Sequence, residues 1–325
     1  MTAREPADHL QDLEPSRATF LADVLHGLRR KPAQLPPKYF YDDAGSRLFD
    51  RICELPEYYL TRTELTIMER DAADMAAALG SRCLLLEPGS GNSRKTRLLL
   101  DNMHEPAGYV PVEISRDHMM ESVRALQADH PALPIHPICA DFTRPFTLPA
   151  AIREARPRCV YFPGSTIGNF PPAESVRLLR GFHDLAGSGG TLLLGMDLRK
   201  DPRILIPAYN DSAGVTAAFN RNLLVRINRE LGADFEVARF RHRATWNDGE
   251  SRMEMRLVSD SAQHVTIAGE RFRFEAGESL ITEYSYKHSP EHLHGLAREA
   301  GFTLERQWTD DLDWFGVMLL RRTDG

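Results

Sequence analysis

Short apolar runs alternate with amphipathic stretches through the middle of the chain, from Ser81 to Asp197. Continuous apolar runs predict buried strands, and apolar residues that recur every three or four positions predict helices. In chain order this gives a strand in RCLLLEP, a helix in SRKTRLLLDNM, a strand in GYVPVEIS, a helix in RDHMMESVRALQAD, strands in IHPICADF and RCVYFPGSTIGNF, a helix in SVRLLRGFHDL and a strand in GGTLLLGMDL. This alternation predicts a parallel sheet with helices on both faces.

Two blocks of the chain depart from that alternation. The N-terminal block has a proline-rich entry and an amphipathic piece, and a later block has one long helix followed by strand-like alternating runs. The C-terminus returns to the first pattern with a helix, a glycine stop and two strands. The predicted fold class is α/β, with a Rossmann-like domain of residues 62–198 and 288–325 and a second, inserted substrate-binding domain of residues 8–61 and 199–287.

Composition limits the kinds of partner. The 325 residues carry a net charge of −6, which argues against a nucleic-acid-binding protein that relies on phosphate contacts. The N-terminal stretch lacks the apolar core of a secretory signal, and no apolar run approaches the roughly 18 residues of a membrane span. The four cysteines are scattered without a CxxC pair and the histidines form no HExxH motif, so we expect reduced thiols and no metal site. The sequence therefore predicts a soluble cytoplasmic protein, and we expect a monomer without membrane or nucleic-acid partners.

The stretch EPGSGNSRK predicts a tight loop between the first strand and the first helix of the α/β pattern. Backbone N–H groups in such a loop meet a small charged ligand. Glu87, Gly89 and Gly91 form an acid–Gly-x-Gly turn, but Arg94 stands where a dinucleotide fingerprint has its third glycine. An NAD-dependent oxidoreductase is therefore disfavoured. S-adenosylmethionine needs no pyrophosphate cradle, and the turn suits its amino-acid tail; a turn without a ligand stays open.

Acidic residues also follow the next two strands. Glu113 ends the second strand, where a carboxylate can accept hydrogen bonds from both hydroxyls of a ribose. Asp141 and Phe142 follow the third strand and offer a partner for an adenine amino group and a wall for the base. Each residue alone is equally compatible with a solvated strand end. Together, at successive strand ends, they predict a methyl-donor site at the carboxyl edge of the sheet.

Residues for a second ligand come from other parts of the chain. Asn169, after the fourth strand, has an amide that can both donate and accept towards an amino-acid head group, although it can equally cap the following helix. Aromatic residues of the N-terminal block suit a methylated amine, although aromatic residues at this density more often form a core. In ITEYSYKHS, Glu283 and Ser285 point the same way in a strand and can grip both nitrogens of an imidazole. From spacing alone, such a pair is more often at the surface.

These residues lie in long motifs that resemble one family. The chain is similar to the histidine-specific α-N-methyltransferases of ergothioneine biosynthesis in LPPKYFYDDAGSRLFDRICELPEYYLTRTE, EPGSGNSRKTRLLL, GSTIGN, AYNDSAGVTAAFNRNLL, RMEMRL and TEYSYK. The resemblance implies a class I methyltransferase that uses S-adenosylmethionine to trimethylate the α-amino group of L-histidine to hercynine. Methylation of another amino acid and a catalytically silent sensor of donor or amino acid stay open as alternatives.

The resemblance also implies roles for individual residues. For the substrate head group, carboxylate, imidazole and amine it implies contacts from Tyr58, Asn169, Tyr209, Met255, Glu283, Ser285, Tyr41 and Phe49. For the donor it implies Gly89, Lys95, Asp141 and Phe142, with Gly164 at the edge that both ligands share. The chain departs from the family pattern at EPGSGN, where ELGSGT is expected, and at Glu113, where an aspartate is expected.

The chemistry requires a free lone pair on the α-amine. A bound ammonium must first lose a proton, and the matched positions around the amine include neither histidine nor lysine. We therefore hypothesise that Tyr41, through a water molecule, relays this proton outward.

Overall fold

The computed structural model describes residues 9–323, and within that range the chain divides into two units. The first unit comprises residues 9–14, 60–199 and 287–323, and the second comprises residues 15–59 and 200–286. The second unit is therefore assembled from two separate segments of the chain.

The helices and strands follow one another closely along the chain. The strands are β1 (Gln11–Leu13), β2 (Ala33–Gln34), β3 (Leu84–Pro88), β4 (Gly108–Glu113), β5 (Ile138–Ala140), β6 (Arg158–Phe162), β7 (Thr191–Asp197), β8 (Phe240–Asn247), β9 (Arg252–Ser259), β10 (Gln263–Ile267), β11 (Glu270–Phe274), β12 (Ser279–Tyr286), β13 (Phe302–Thr309) and β14 (Phe315–Arg322). The α-helices are α1 (Arg17–Arg29), α2 (Asp43–Cys53), α3 (Tyr59–Leu79), α4 (Arg94–Leu100), α5 (Arg116–Asp129), α6 (Pro172–Ala186), α7 (Pro202–Ala208), α8 (Val215–Leu231) and α9 (Pro290–Glu299). Short 3-10 helices occupy Pro37–Phe40, Thr166–Asn169 and Val237–Arg239.

The first unit is built on one sheet, whose strand order over the described residues is β1-β5-β4-β3-β6-β7-β14-β13. In this order, the neighbouring strands β1, β5, β4, β3, β6 and β7 pair in parallel. Strand β14 is antiparallel to both β7 and β13. The carboxyl ends of β3, β4, β5 and β6 therefore share one edge, which is where ligands bind in sheets of this kind.

Alternate residues of the parallel strands fill two separate cores. Leu84 and Leu86 pack with helices α6 and α9 on one face, whereas Leu85 packs with helices α3, α4 and α5 on the other. Both faces are covered, so β3 is apolar at consecutive positions rather than at every second one. Burial on both faces of the sheet therefore explains the continuous apolar runs in the sequence.

The pattern of helices and strands predicted for the middle and the end of the chain is confirmed, and α5 covers its predicted stretch without change. The N-terminal strand β1, which pairs with β5, was not predicted. Because of this pairing, residues 9–14 lie in the first unit, whereas the predicted boundary assigned them to the substrate-binding domain. Residues 8 and 324–325, which the predicted boundaries include, lie outside the described residues.

The second unit combines a sheet of order β2-β12-β9-β8 with the hairpin of β10 and β11 and with helices α1, α2, α7 and α8. Asp42 is the N-cap of α2 and accepts a hydrogen bond from the Gly45 amide at 2.8 Å. It also accepts one from Asn222 of α8 at 2.8 Å, so one carboxylate joins the two helices. In the part of the chain that the structure describes, no helix has the length and apolar character to cross a membrane.

Candidate active site

The loop between β3 and α4 has the backbone shape that its glycines allow. Gly89 and Gly91 have φ angles of 74° and 51°, in the left-handed region that favours glycine. The Gly89 amide donates to the Val112 carbonyl at 2.7 Å, which ties the loop to β4. A Cβ atom on Gly89 would lie 3.4 Å from the Phe142 ring, so this predicted base-pocket residue lies beside the loop.

Glu87 is directed into the protein beneath this loop. Its side chain is only 2% exposed and accepts hydrogen bonds from Thr96 Oγ1 at 2.6 Å and from the Tyr109 hydroxyl. Burial raises the pKa of Glu87 to about 7, although these hydrogen bonds act in the opposite direction. Glu87 therefore anchors the start of α4 to β4 and thereby supports the glycine loop.

Glu113 and Gly91, both predicted to bind the donor, meet at the carboxyl end of β4. The Glu113 carboxylate accepts from the Ile114 amide at 2.7 Å and from the Gly91 amide at 3.3 Å. Burial raises the pKa of Glu113, and the same backbone hydrogen bonds oppose that rise. The loop and the strand end are thus joined by the acidic residue that was assigned to a ribose.

Asp141 and Phe142 follow β5, as predicted. Asp141 is 6% exposed and accepts from the Thr143 amide at 3.0 Å and from its hydroxyl at 2.5 Å. The Phe142 ring packs edge-on against Phe162, with centroids 5.5 Å apart. These contacts fix both residues at the edge of the sheet.

Asn169 ends the 3-10 helix that follows β6. The alternative interpretation, that it caps the next helix, is wrong, because the N-cap of α6 is Pro171 and makes no side-chain hydrogen bond. Its amide is half-buried and lies on the same stretch of chain as Gly164, whose φ is 76°.

Lys95 and Gly164 are brought together by Glu64, a residue that was not predicted from the sequence. The Glu64 carboxylate, 1% exposed, lies 2.5 Å from Lys95 Nζ and accepts from the Gly164 amide at 3.0 Å. A sequence signal was present. Glu64 stands three and four positions before the core residues Ile67 and Met68 of α3, so it occupies the buried side of the helix.

The residues predicted to grip the imidazole lie together in the second unit. Glu283 and Ser285 are 8% and 4% exposed, and they stand opposite Met255 and Met253 in the pairing of β12 with β9. A register shift between Ile281 and Glu283 precedes the pair. The Ser285 hydroxyl shares a hydrogen bond of 2.8 Å with the Tyr209 hydroxyl.

The predicted aromatic residues of the amine site are in contact with one another. The Tyr41 and Phe49 rings are 5.6 Å apart and the Phe49 and Tyr58 rings 6.2 Å apart, all edge-on. The buried Phe219 of α8, which was not predicted, packs 5.7 Å from Tyr41 and 6.0 Å from Phe49. Burial raises the pKa of Tyr58 well above its ordinary value, so its hydroxyl keeps its proton.

His242 of β8, which was also not predicted, holds the backbone of Tyr209. Its Nε2–H donates to the Tyr209 carbonyl at 2.9 Å, so Nδ1 accepts from the Asn220 amide at 2.8 Å. Burial lowers the pKa of His242, which favours this neutral form. Among residues 9–323, no group of three or more His, Cys, Asp or Glu side chains is arranged to hold a metal ion.

The strand order and the ligand edge beside a glycine loop define the fold of a class I S-adenosylmethionine-dependent methyltransferase. The chain belongs to the family described as histidine-specific, SAM-dependent methyltransferases, whose model matches residues 20–322. S-adenosylmethionine is therefore its methyl donor.

Relatives with established names cover nearly the whole chain. The histidine N-alpha-methyltransferase of Mycolicibacterium smegmatis is 44% identical over 92% of this chain and 94% of its own length. The protein of the same name from Mycobacterium tuberculosis is 40% identical over 96% of this chain and 98% of its own. Ergothioneine biosynthesis protein 1 of Neurospora crassa is 30% identical over 90% of this chain, which spans 33% of that longer protein. The roles of individual site residues stay predictions.

Proposed function

We propose that this protein transfers three methyl groups from S-adenosylmethionine to the α-amino group of L-histidine, which yields hercynine for ergothioneine biosynthesis. The observation that carries the proposal is the buried pair Glu283 and Ser285 on one face of β12, beside Tyr209. The family and the names of the relatives agree with this substrate.

Imidazole specificity rests on the carboxylate of Glu283. A carboxylate accepts a ring N–H, while the Ser285 hydroxyl adapts to the other nitrogen. At 8% exposure, Glu283 loses most of its contact with water, so a substrate that offers no ring N–H forgoes a hydrogen bond to a desolvated carboxyl group. Such a site rejects other amino acids strongly, because their binding buries the polar groups of the site without the hydrogen bonds that an imidazole would make.

The donor occupies the carboxyl edge of the sheet in the first unit. In this proposal Gly89, Gly91 and Lys95 receive its amino-acid tail and Glu113 its ribose, while Asp141 and Phe142 receive its adenine. Methyl transfer from a sulfonium is an in-line displacement: the amine nitrogen forms a bond to the methyl carbon as the carbon–sulfur bond breaks. The protein accelerates it chiefly by aligning the reacting atoms.

Mass spectrometry of a reaction with S-adenosylmethionine and pooled amino acids tests the proposal. We expect three added methyl groups on histidine and none on the other amino acids. Trimethylation of another amino acid would retain the chemistry and refute the assignment of Glu283 and Ser285. Donor binding without any product would instead favour a sensor.

Substitution of Glu283 tests the origin of the specificity. Glu283→Gln keeps the shape but removes the charge, and we expect kcat/KM for histidine to fall about 100-fold, since a site built around a hydrogen bond is sensitive to its loss. The matched control is Glu236→Gln at an exposed position of the same unit, which should retain wild-type kinetics. An unchanged kcat/KM in Glu283→Gln would refute the role.

A further inference from the structure

Glu64 connects three elements at the carboxyl edge of the sheet in the first unit. Its carboxylate, on α3, contacts Lys95 Nζ of α4 at 2.5 Å and both its oxygens lie 3.0 Å from the Gly164 amide that follows β6. The side chain is 1% exposed, so these contacts are made away from water. A buried carboxylate with a charged partner and a backbone donor holds both firmly.

A glycine in the neighbouring strand makes room for this carboxylate. A Cβ atom on Gly195 of β7 would lie 2.5 Å from Glu64 Oε1 and 3.2 Å from the Gly164 nitrogen. The φ angle of Gly195 is outside the left-handed region, so its backbone does not require glycine. Gly195 therefore leaves the space that the Glu64 carboxylate occupies.

The Lys95 ammonium group can donate hydrogen bonds to a ligand while it contacts Glu64. An ammonium group has three N–H donors, and Glu64 accepts one of them. The Lys95 side chain is 20% exposed, whereas that of Glu64 is 1% exposed, so Lys95 remains partly accessible beside its buried partner. A fixed ammonium at the ligand edge suits the carboxylate of an amino-acid tail.

We propose that Glu64 is a positioning residue for the methyl donor: it holds Lys95 Nζ where the ammonium receives the carboxylate of the amino-acid tail of S-adenosylmethionine, and the hydrogen bond from the Gly164 amide to Glu64 fixes the adjacent backbone. This inference rests on the proposed function, because the donor is the ligand whose tail is held. Glu64 acts through Lys95 and Gly164 and does not itself take part in methyl transfer.

Glu64→Gln in the full-length protein tests the charge. Calorimetric titration with S-adenosylhomocysteine should show about 10- to 100-fold weaker binding, the range expected when a hydrogen bond to a charged group is lost. The KM for the donor should rise, while the KM for histidine stays within about twofold because Glu283 and Ser285 are unchanged. Glu69→Gln, at an exposed position of the same helix, is the matched control and should bind like wild type.

Gly195→Ala tests the same contact without altering Glu64. The new methyl group displaces the carboxylate, so donor affinity should fall as in Glu64→Gln. Gly181→Ala is the control, because a Cβ atom at that exposed helical position has no neighbour within 4 Å. The double variant Glu64→Gln/Lys95→Gln should lose less donor affinity than the two single variants combined, since both changes remove the same Glu64–Lys95 contact.

Glu64→Asp keeps the charge on a shorter arm and should recover part of the affinity, which also covers the case in which Glu64→Gln does not fold. Wild-type donor affinity in Glu64→Gln or Gly195→Ala would overturn the inference. A variant with weaker donor binding, a higher KM for histidine and a lower melting temperature would also overturn the inference, because these changes together would indicate a purely structural ion pair. Absence of a histidine product in the wild type would refute the proposed function, yet the titration would still report on Glu64.

Discussion

Two tyrosines of the aromatic group in the second unit differ in what their hydroxyls can do. Tyr58 is 9% exposed, and burial raises its pKa well above the ordinary value; the nearby Tyr209 adds to that rise. Its hydroxyl therefore remains a hydrogen-bond donor at neutral pH and does not act as a base. Tyr41 is half-buried beside Phe49 and Phe219, which leaves it better placed to pass a proton to water.

Tyr41→Phe tests this assignment of the proton relay. We expect kcat at neutral pH to fall about 100-fold, the usual scale of general acid–base assistance, and the deficit to shrink as pH rises, because a free amine needs no relay. Measurement of kcat across pH gives the result. Tyr284→Phe removes the same hydroxyl from a tyrosine whose ring lies against Arg252 and should leave the profile unchanged. If Tyr41→Phe has the wild-type profile, Tyr41 is not the relay.

At the scale of elements, the antiparallel pair β9 and β12 separates two kinds of chemistry. Met253 and Met255 stand opposite Ser285 and Glu283 on one side. The alternate positions of β9 on the other side carry Arg252, Glu254 and Arg256. Successive residues of a strand point to opposite faces, so one strand pair carries the proposed imidazole contacts and a separate ionic cluster.

Glu254 is the centre of that cluster and should stabilise the second unit. It is 2% exposed and accepts from Arg252 Nε at 2.9 Å, from Asn247 at 3.0 Å and from Arg256. Burial raises its pKa, but these hydrogen bonds outweigh burial and leave the pKa below its ordinary value. The carboxylate is therefore charged at neutral pH, and its contribution to stability is lost as pH falls through the lowered pKa.

Glu254→Gln should reduce the free energy of unfolding by about 2 kcal/mol. Loss of one partner from a buried pair costs about 3–5 kcal/mol. A smaller value is expected here because the Arg256 side chain is 34% exposed. Urea unfolding at neutral pH measures the change, with Glu250→Gln, at an exposed position, as the control. Equal stability of both variants would contradict the role of the cluster.

How much the sequence predicted also depends on the scale of the interaction. The parallel strands and α5 were predictable because periodicity and burial on both faces are written in consecutive residues. The shared face of Glu283 and Ser285 was predictable for the same reason. The contacts of Glu64 with Gly164 and of His242 with Tyr209 join positions far apart in the chain, so local patterns do not reveal them. The pairing of β1 with β5 was missed likewise.

For the whole molecule, two buried groups of the first unit give opposite pH dependences of stability. His288 is 3% exposed, and burial, reinforced by His292 and Lys287, lowers its pKa to about 4. Between pH 4 and its ordinary pKa of 6.5, the unfolded chain binds a proton that the folded chain does not, so stability rises with pH. Glu87 has its pKa raised from 4.5 to about 7, and within that range the folded chain keeps a proton that the unfolded chain loses. Its effect is that stability falls as pH rises.

Each effect amounts to about 3 kcal/mol over its range, and they nearly cancel between pH 4.5 and 6.5 in the wild type. Substitution of either residue should therefore reveal the pH dependence of stability that the other residue causes. Relative to the wild type, His288→Asn should lose stability progressively as pH rises through this window, whereas Glu87→Gln should gain it. Urea unfolding at intervals from pH 4 to 7 measures both differences, with His104→Asn at an exposed position as the control. Variant curves that run parallel to the wild type would show that these two groups do not govern the pH dependence, because only a change in the protons bound on folding alters the slope.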